Sequence, residues 1–394
     1  MRRHPECSAA ATTIVNAKVF DGTRSRDWTS VRFADGLITE CSAASAAQEG
    51  DEVIDAGGGT VLPGLIDAHV HLVPGALAQS LTFGVTTVLD MFSKPDLVAR
   101  AKEQAGSRPD VADVRSSGVG ATAPGGHPSM MYAPFPTLTG ADQAEQFVAD
   151  RIAAGSDYLK IFAGTGGLWP SLDFETIKAL VTAAHARGLV VVAHVSSVAG
   201  VEEVVSAGVD VVAHVPADAE LDKALVDRMA EAGIAVGPTL ATIENTLGPP
   251  YSRAEDNVRR LADAGITVLA GTDAPNPGTV FGASLHRELE LLVRCGLSPV
   301  RALAAATTEP ARVFGLADRG RVAAGQRADL VLVSGDPLTD ITATRAIERI
   351  WRAGTACDRR AFVASAAEAE QLDAFNAQVA KVVAAVRERR SAFG

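Results

Sequence analysis

The chain has 394 residues, 47% of them hydrophobic and 21% charged, with 36 glycines and a formal net charge of −11 at pH 7. Such a length and apolar content suit a large buried core and argue against disorder except at the ends. The acidic balance and scattered Lys and Arg residues leave no basic stripe to follow a phosphate backbone, so nucleic acid is not an expected partner.

The opening MRRHPECSAAATT begins basic but lacks the apolar run of a signal peptide, and no stretch of about 18 uninterrupted apolar residues occurs. A soluble, cytoplasmic protein without a membrane partner is expected. Cys7, Cys41, Cys295 and Cys357 lie far apart with no CxxC spacing, and are expected to be ordinary reduced thiols.

From about Ala11 to Ala56 the runs TIVNAKVFDG, TSVRFADGLITEC and DEVIDAGG alternate between apolar and polar positions and are broken by Gly and Asp, which predicts antiparallel β-structure. The pattern then changes to short apolar runs separated by helical stretches, as parallel strands with crossover helices require. The strand candidates are LPGLIDAHVHL, VTTVLDM, VADVRSSGV, YLKIFA, LVVVAHV, VDVVAHV, IAVGPTL and TVLAGTDA. Helices such as FETIKALVTAAHARG and DKALVDRMAEAG fall between them and close on Gly. SLHRELELLVRCGLSPVRALAAATTEPARVFG reads as the last helices. Beyond it, GRVAAGQRADLVLVSGDPL and ATRAIERIWRAGTAC return to β-character.

The expected architecture is therefore α/β: a (β/α)₈ TIM barrel over residues 61–318, with a small β-sandwich formed by segments 1–60 and 319–360. Residues 361–394 read as a long amphipathic helix whose apolar face suggests self-association into a homo-oligomer.

His69 and His71 end the first barrel strand, and because side chains alternate along a strand, both point to one face. Two imidazoles so spaced can share a metal ion at the end of a barrel where active sites are built. His194 and His214 end the fifth and sixth strands within a repeated AHV. A single buried histidine is more often a core residue than a ligand, but four of the eight histidines at strand ends form a pattern. Asp273, in TVLAGTDAP, ends the eighth strand as a candidate ligand and proton acceptor, or else as a helix cap.

Lys160 interrupts the apolar run of the fourth strand at an inward position, where a bare ammonium is costly to bury. Near metal ions its amine can add carbon dioxide to become a bridging carbamate; alternatively it snorkels to the surface. In the loop after strand three, GATAPGGHPSMMYAPFP, His127 and Tyr132 are candidates for substrate contact, with His127 a candidate oxyanion donor; ordinary loop packing is the competing reading. His185 and His286 sit in helical patterns and are expected to be structural.

VLPGLIDAHVHL, followed in order by Lys160, His194, His214 and Asp273 at later strand ends, resembles the amidohydrolase superfamily, and GRVAAGQRADLVLV resembles its C-terminal sandwich return. The resemblance spans about Thr13 to Gly354. GGHP and SLHRELELL look most like the branch of prolidase-like dipeptidases and imidazolonepropionase-like enzymes.

That resemblance implies two divalent ions, with His69, His71 and Asp273 holding one, His194 and His214 the other, and a carboxylated Lys160 bridging them. Zinc suits nitrogen and oxygen ligands best, while manganese, iron and cobalt are admitted. The implied activity is metal-assisted attack of water on an amide-like C–N bond of a small molecule: a dipeptide, an N-acyl amine, a carbamate or a cyclic amide. Two alternatives stay open: a mononuclear deaminase or cyclic-amidine hydrolase on the same fold, with no use for Lys160, and a non-catalytic barrel kept for binding or assembly.

Overall fold

Parallel strands carry the centre of the molecule in the computed structural model, which describes residues 11–164, 167, 169–247, 251–359, 363 and 365–392. One sheet holds β1 (Leu65–Val70), β2 (Val85–Asp90) and β3 (Asp113–Ser116), in the order β3-β2-β1. A second holds β4 (Leu159–Phe162), β5 (Val191–His194), β6 (Val211–Ala213) and β7 (Ala235–Gly237) in sequence order. Every pairing within both sheets is parallel. All residues of β1, β2 and β4 are buried, which explains why these strands read as nearly continuous apolar runs rather than alternating ones.

The connecting helices start where the sequence offers a cap. Asp173, Ser197 and Asp222 each accept a hydrogen bond from the backbone N–H three residues on, opening helices Phe174–His185, Val198–Ala207 and Lys223–Glu231. The first of these buries Ile177, Leu180, Val181 and Ala184 against the sheet, the spacing of one helical face.

TVLAGTDA, expected as the eighth strand, is instead a bridged segment. Val268 pairs with Val236 of β7 and Ala274 with Val70 of β1, both in parallel. Between those points the ladder is diverted: the N–H of Ala270 donates to Ala305 O at 2.8 Å, at the end of helix Pro299–Ala305, while its carbonyl accepts from Ala68 N at 2.9 Å. A helix terminus thus takes a place that a neighbouring strand would fill. An isolated parallel bridge, Ala121 with Ile161, joins the chain just after β3 to β4.

The two ends of the chain meet in the same sheet. Leu330–Val333, the ADLVLV segment, pairs antiparallel with Thr60–Pro63 and with Ile347–Arg352. A further four-stranded sheet runs Leu37–Ser42, Ser30–Ala34, Thr12–Val15, Glu52–Asp55. Ile14, Val31, Phe33, Val61, Leu330 and Trp351 share one apolar cluster between these sheets. Asp113 at the start of β3 takes ion pairs from Arg319 and Arg327, at 2.5 and 2.9 Å, and so fastens the returning segment to the parallel core.

The tail forms helix Ala366–Ala392. Val379 and Val382 are buried and Leu372 and Phe375 half-buried, and Gln378 Nε2 donates to Met130 O at 2.6 Å. The apolar side chains on which self-association was expected are in this part turned onto the chain's own body. Cys41, Cys295 and Cys357 are free thiols, whereas the expectation for Cys7 falls outside the described residues. No described helix is long and apolar enough to cross a membrane.

Candidate metal centre

His69 near the end of β1 and His71 just beyond it point to the same side, as strand alternation requires. Asp273 Oδ1 lies 3.4 Å from His69 Nε2 and 3.0 Å from His71 Nε2. Donor atoms of these three side chains all fall within 4.8 Å of one another. The ring of His214, just past β6, is 4.8 Å from that of His69, and the ring of His194, at the end of β5, is 4.6 Å from that of His214. Four imidazoles from three strand ends therefore form a connected row beside one carboxylate.

Local backbone makes this approach feasible. A Cβ at Gly271 would lie 2.8 Å from His69 Cβ and 2.9 Å from His69 N, so only glycine lets the bridged segment run this close to β1. Asp67, buried two residues before His69, clasps the same segment: its carboxylate accepts from Thr272 N at 3.0 Å, Thr272 Oγ1 at 2.7 Å and His69 N at 3.2 Å. Burial pushes the Asp67 carboxyl up to about 7 against the pull of those bonds.

His69, His194 and His214 are biased towards the neutral form that ligates. Burial, reinforced by neighbouring cations, holds His69 and His194 well below the usual histidine range. His214 is brought down to about 3, with burial again the main cause. His214 Nδ1 meets Thr239 Oγ1 at 2.8 Å, leaving Nε2 for a ligand. Burial works to raise Asp273, but the His71 hydrogen bond and the charges of His214, His71 and Lys160 hold it below the usual carboxylate range.

Lys160 on β4 is 1% exposed, and its Nζ has no hydrogen-bond partner among the described residues. Nζ sits 5.6 Å from the centre of the Phe162 ring. Burial lowers its amine to about 7, with Asp273 and Asp90 pulling the other way. An amine so placed is substantially neutral and nucleophilic near neutral pH, the state in which it can take up carbon dioxide.

The loop after β3 reaches over this row. His127 stacks on His194 at 4.6 Å with an interplanar angle of 23°, lies edge-on to Trp169 at 4.7 Å, and has a buried Nδ1 without a partner among the described residues. Burial brings its pKa down to about 4. Tyr132 ends the short turn Ser129–Tyr132; its ring stacks on Phe92 at 4.4 Å and lies 6.2 Å from that of His71.

Both histidines expected to be structural are engaged elsewhere. His286 uses Nδ1 on Thr344 Oγ1 and Nε2 on Phe83 O, each at 3.0 Å, and His185 pairs with Asp210 at 3.0 Å.

Other polar groups around the site went unread in the sequence. Asp90, at the end of β2, accepts from Leu72 N at 3.0 Å, Ser93 Oγ at 2.8 Å and Ser116 Oγ at 2.5 Å, fixing the chain next to His71. Its signal was an acidic residue ending the apolar run VTTVLD. Glu288 is buried and accepts from Leu240 N at 3.1 Å and Ala241 N at 2.7 Å, anchoring the helix Leu240–Leu247 that follows Thr239. Its signal was an acid on the buried face of helix Ala283–Arg294.

Comparison with known proteins gives consistent results. The family model for the amidohydrolase family matches residues 60–357. An imidazolonepropionase from Deinococcus radiodurans is 28% identical over 372 residues, covering 81% of this chain and 89% of the relative. The crystal structure of a putative prolidase from Bifidobacterium longum matches with a TM-score of 0.79 at 27% identity, over 93% of this chain and 99% of that one. The crystal structure of a Xaa-Pro dipeptidase with methionine bound in its active site matches with a TM-score of 0.78 at 22% identity, over 89% and 100%. Together with the helix-covered parallel sheets, these likenesses establish a TIM-barrel-type α/β fold.

Proposed function

The chain belongs to the amidohydrolase family and is a hydrolase acting on carbon–nitrogen bonds, and from that premise we propose that it uses two divalent metal ions to cleave an amide-like bond in a small molecule. The substrate class is a dipeptide, an N-acyl amine, a carbamate or a cyclic amide. One observation carries the two-metal reading: a buried lysine amine, lowered to about 7 and without a partner among the described residues, in the surroundings of Asp273 and a row of imidazoles. Free, that amine is a buried polar group left unsatisfied; after adding carbon dioxide and losing a proton it would be a carbamate anion able to balance bound cations.

In this reading His69, His71 and Asp273 would hold one ion and His194 and His214 the other, with Lys160, once carboxylated, as a further ligand. Nitrogen and oxygen donors of this kind suit zinc and admit manganese, iron or cobalt. The ions supply Lewis acidity at the scissile carbonyl and acidify the attacking water. Asp273 accepts the proton of that water and returns it to the leaving nitrogen. His127, its Nδ1 unpartnered, donates to the oxyanion as the carbonyl becomes tetrahedral, and Tyr132 contacts a fixed part of the substrate.

The architecture proposed around this site is a closed (β/α)₈ barrel over residues 61–318, supported by the bridges Val70 with Ala274, Val236 with Val268 and Ala121 with Ile161, which link the two parallel sheets. The described parts of segments 1–60 and 319–360 form the accompanying sandwich, and those of 361–394 include the tail helix.

A mononuclear site, as in a deaminase, has one observation in its favour: among the described residues only the donors of His69, His71 and Asp273 gather within 4.8 Å. Elemental analysis together with a panel of dipeptides, N-acyl amines, carbamates and cyclic amides separates the readings. Close to two ions per chain and turnover on a panel member are expected; one ion with full activity and no gain on adding metal would favour the mononuclear site.

A further inference from the structure

Beside the imidazole row lies a second feature, a cavity of about 660 Å³ between the strand-end loops and the C-terminal helix. Leu72, Val73, Leu97, Met131, Tyr132 and Phe375 are among the residues that line it. Its volume is that of a site for a small molecule rather than a packing defect. Two of its lining residues are neighbours of the metal centre: Leu72 follows His71 directly, and Tyr132 places its ring 6.2 Å from that of His71 and 6.3 Å from that of Phe375.

The outer wall belongs to the tail. Phe375 faces Tyr132, and the hydrogen bond from Gln378 Nε2 to Met130 O pins the helix to the same turn. One segment of the tail thus both bounds the cavity and braces the turn that carries a proposed substrate contact.

We infer that this cavity is a specificity subsite, in which the C-terminal helix and the Met131–Tyr132 turn hold a bulky apolar group of the substrate, an aromatic ring or branched chain remote from the scissile bond. The inference rests on the hydrolase reading above. Aliphatic and aromatic side chains from both walls gain by removing such a group from water, and transfer of one phenyl-sized group contributes on the order of tenfold or more in affinity. A small acyl or amino group leaves the cavity filled with water and forgoes that gain.

The test uses the metal-loaded full-length chain and two carboxylates that differ only in their apolar tail, 4-phenylbutyrate and acetate, titrated by calorimetry. The expected affinity ratio is about tenfold or more in favour of 4-phenylbutyrate. Leu97→Trp and Gln371→Trp, which fill the cavity from opposite walls, should bring the ratio close to one; Gln371 is exposed, so its variant decides the matter if Leu97→Trp fails to fold. A ratio near one in the parent chain, or an undiminished ratio in the folded variants, overturns the inference. On N-acyl amines that the chain hydrolyses, the same variants should lower kcat/KM for phenylbutyryl relative to acetyl substrates by a similar factor. A ratio that behaves as expected while no panel compound is hydrolysed leaves the cavity standing as a binding site and counts against the hydrolase reading alone.

Discussion

His214 and Thr239 are joined through Nδ1 and Oγ1 at 2.8 Å, across 25 residues of chain. That bond orients one imidazole of the row, because a ring whose Nδ1 is occupied presents Nε2 to the site. Thr239→Val keeps the β-branched shape at a position with φ of 54° but removes the oxygen. Metal retention and kcat should fall about 10- to 100-fold, the usual cost of losing the group that orients a metal-binding histidine. Retention against a graded chelator series, unchanged from the parent, would show that packing alone orients His214.

Glu288 supports the same unit from below and gives a pH signature away from the ligands. Burial pushes its carboxyl up from 4.5 to about 8, opposed by the N–H groups of Ala241 and Leu240. Between those values the folded chain holds a proton that the unfolded chain has lost, so this group's contribution to stability is fullest below 4.5 and declines as pH rises towards 8. Glu288→Gln cannot titrate. The stability advantage of the parent over this variant should therefore be larger at pH 5 than at pH 8, by chemical denaturation of the metal-loaded proteins. A gap that stays constant with pH, or widens, contradicts the buried, protonated state.

Lys160→Ala removes the amine on which the proposed carbamate depends. Metal retention should weaken by more than about 100-fold, a larger effect than loss of an outer partner, and turnover should fall with it. Short carboxylic acids added to this variant should restore part of both by filling the vacated bridge. Metal content and activity equal to the parent's would take Lys160 out of the site and favour a mononuclear centre.

These residues differ in how far the sequence alone revealed them, for physical reasons. His69, His71, His194, His214 and Asp273 stand at the ends of apolar runs; strand alternation puts His69 and His71 on one face, and the end of a barrel strand is where a site is expected for the others. Asp67, Asp90, Thr239 and Glu288 act through hydrogen bonds to partners up to 205 residues away, as from Thr272 to Asp67, and no local periodicity records such a pairing. TVLAGTDA carries a strand's composition, yet Ala270 turns its N–H to the helix end at Ala305, a tertiary choice that overrides local propensity. The tail's helical character was legible in its pattern; the fact that Phe375 lies against Tyr132 depends on a fold that brings residue 375 back to residue 132.

His127 and Tyr132 share one loop but should fail in different ways when altered. His127 stacks on His194 and keeps a buried Nδ1 without a partner among the described residues, so its proposed bond is to a group that arrives with the reaction. A donor aimed at a developing oxyanion strengthens in the transition state, and its loss typically costs about 10²–10³ in kcat. His127→Ala should show that loss with metal content intact. Tyr132 stacks on Phe92 and faces both His71 and Phe375, where a fixed portion of the substrate would pass. A contact made equally in ground and transition states affects binding alone, so Tyr132→Phe should raise KM while leaving kcat within about a factor of two. Steady-state kinetics on the panel substrate, paired with elemental analysis of each variant, separates the two roles. Loss of metal in proportion to activity in either variant would make that residue part of the metal centre, and native kinetics in both would return the loop to ordinary packing.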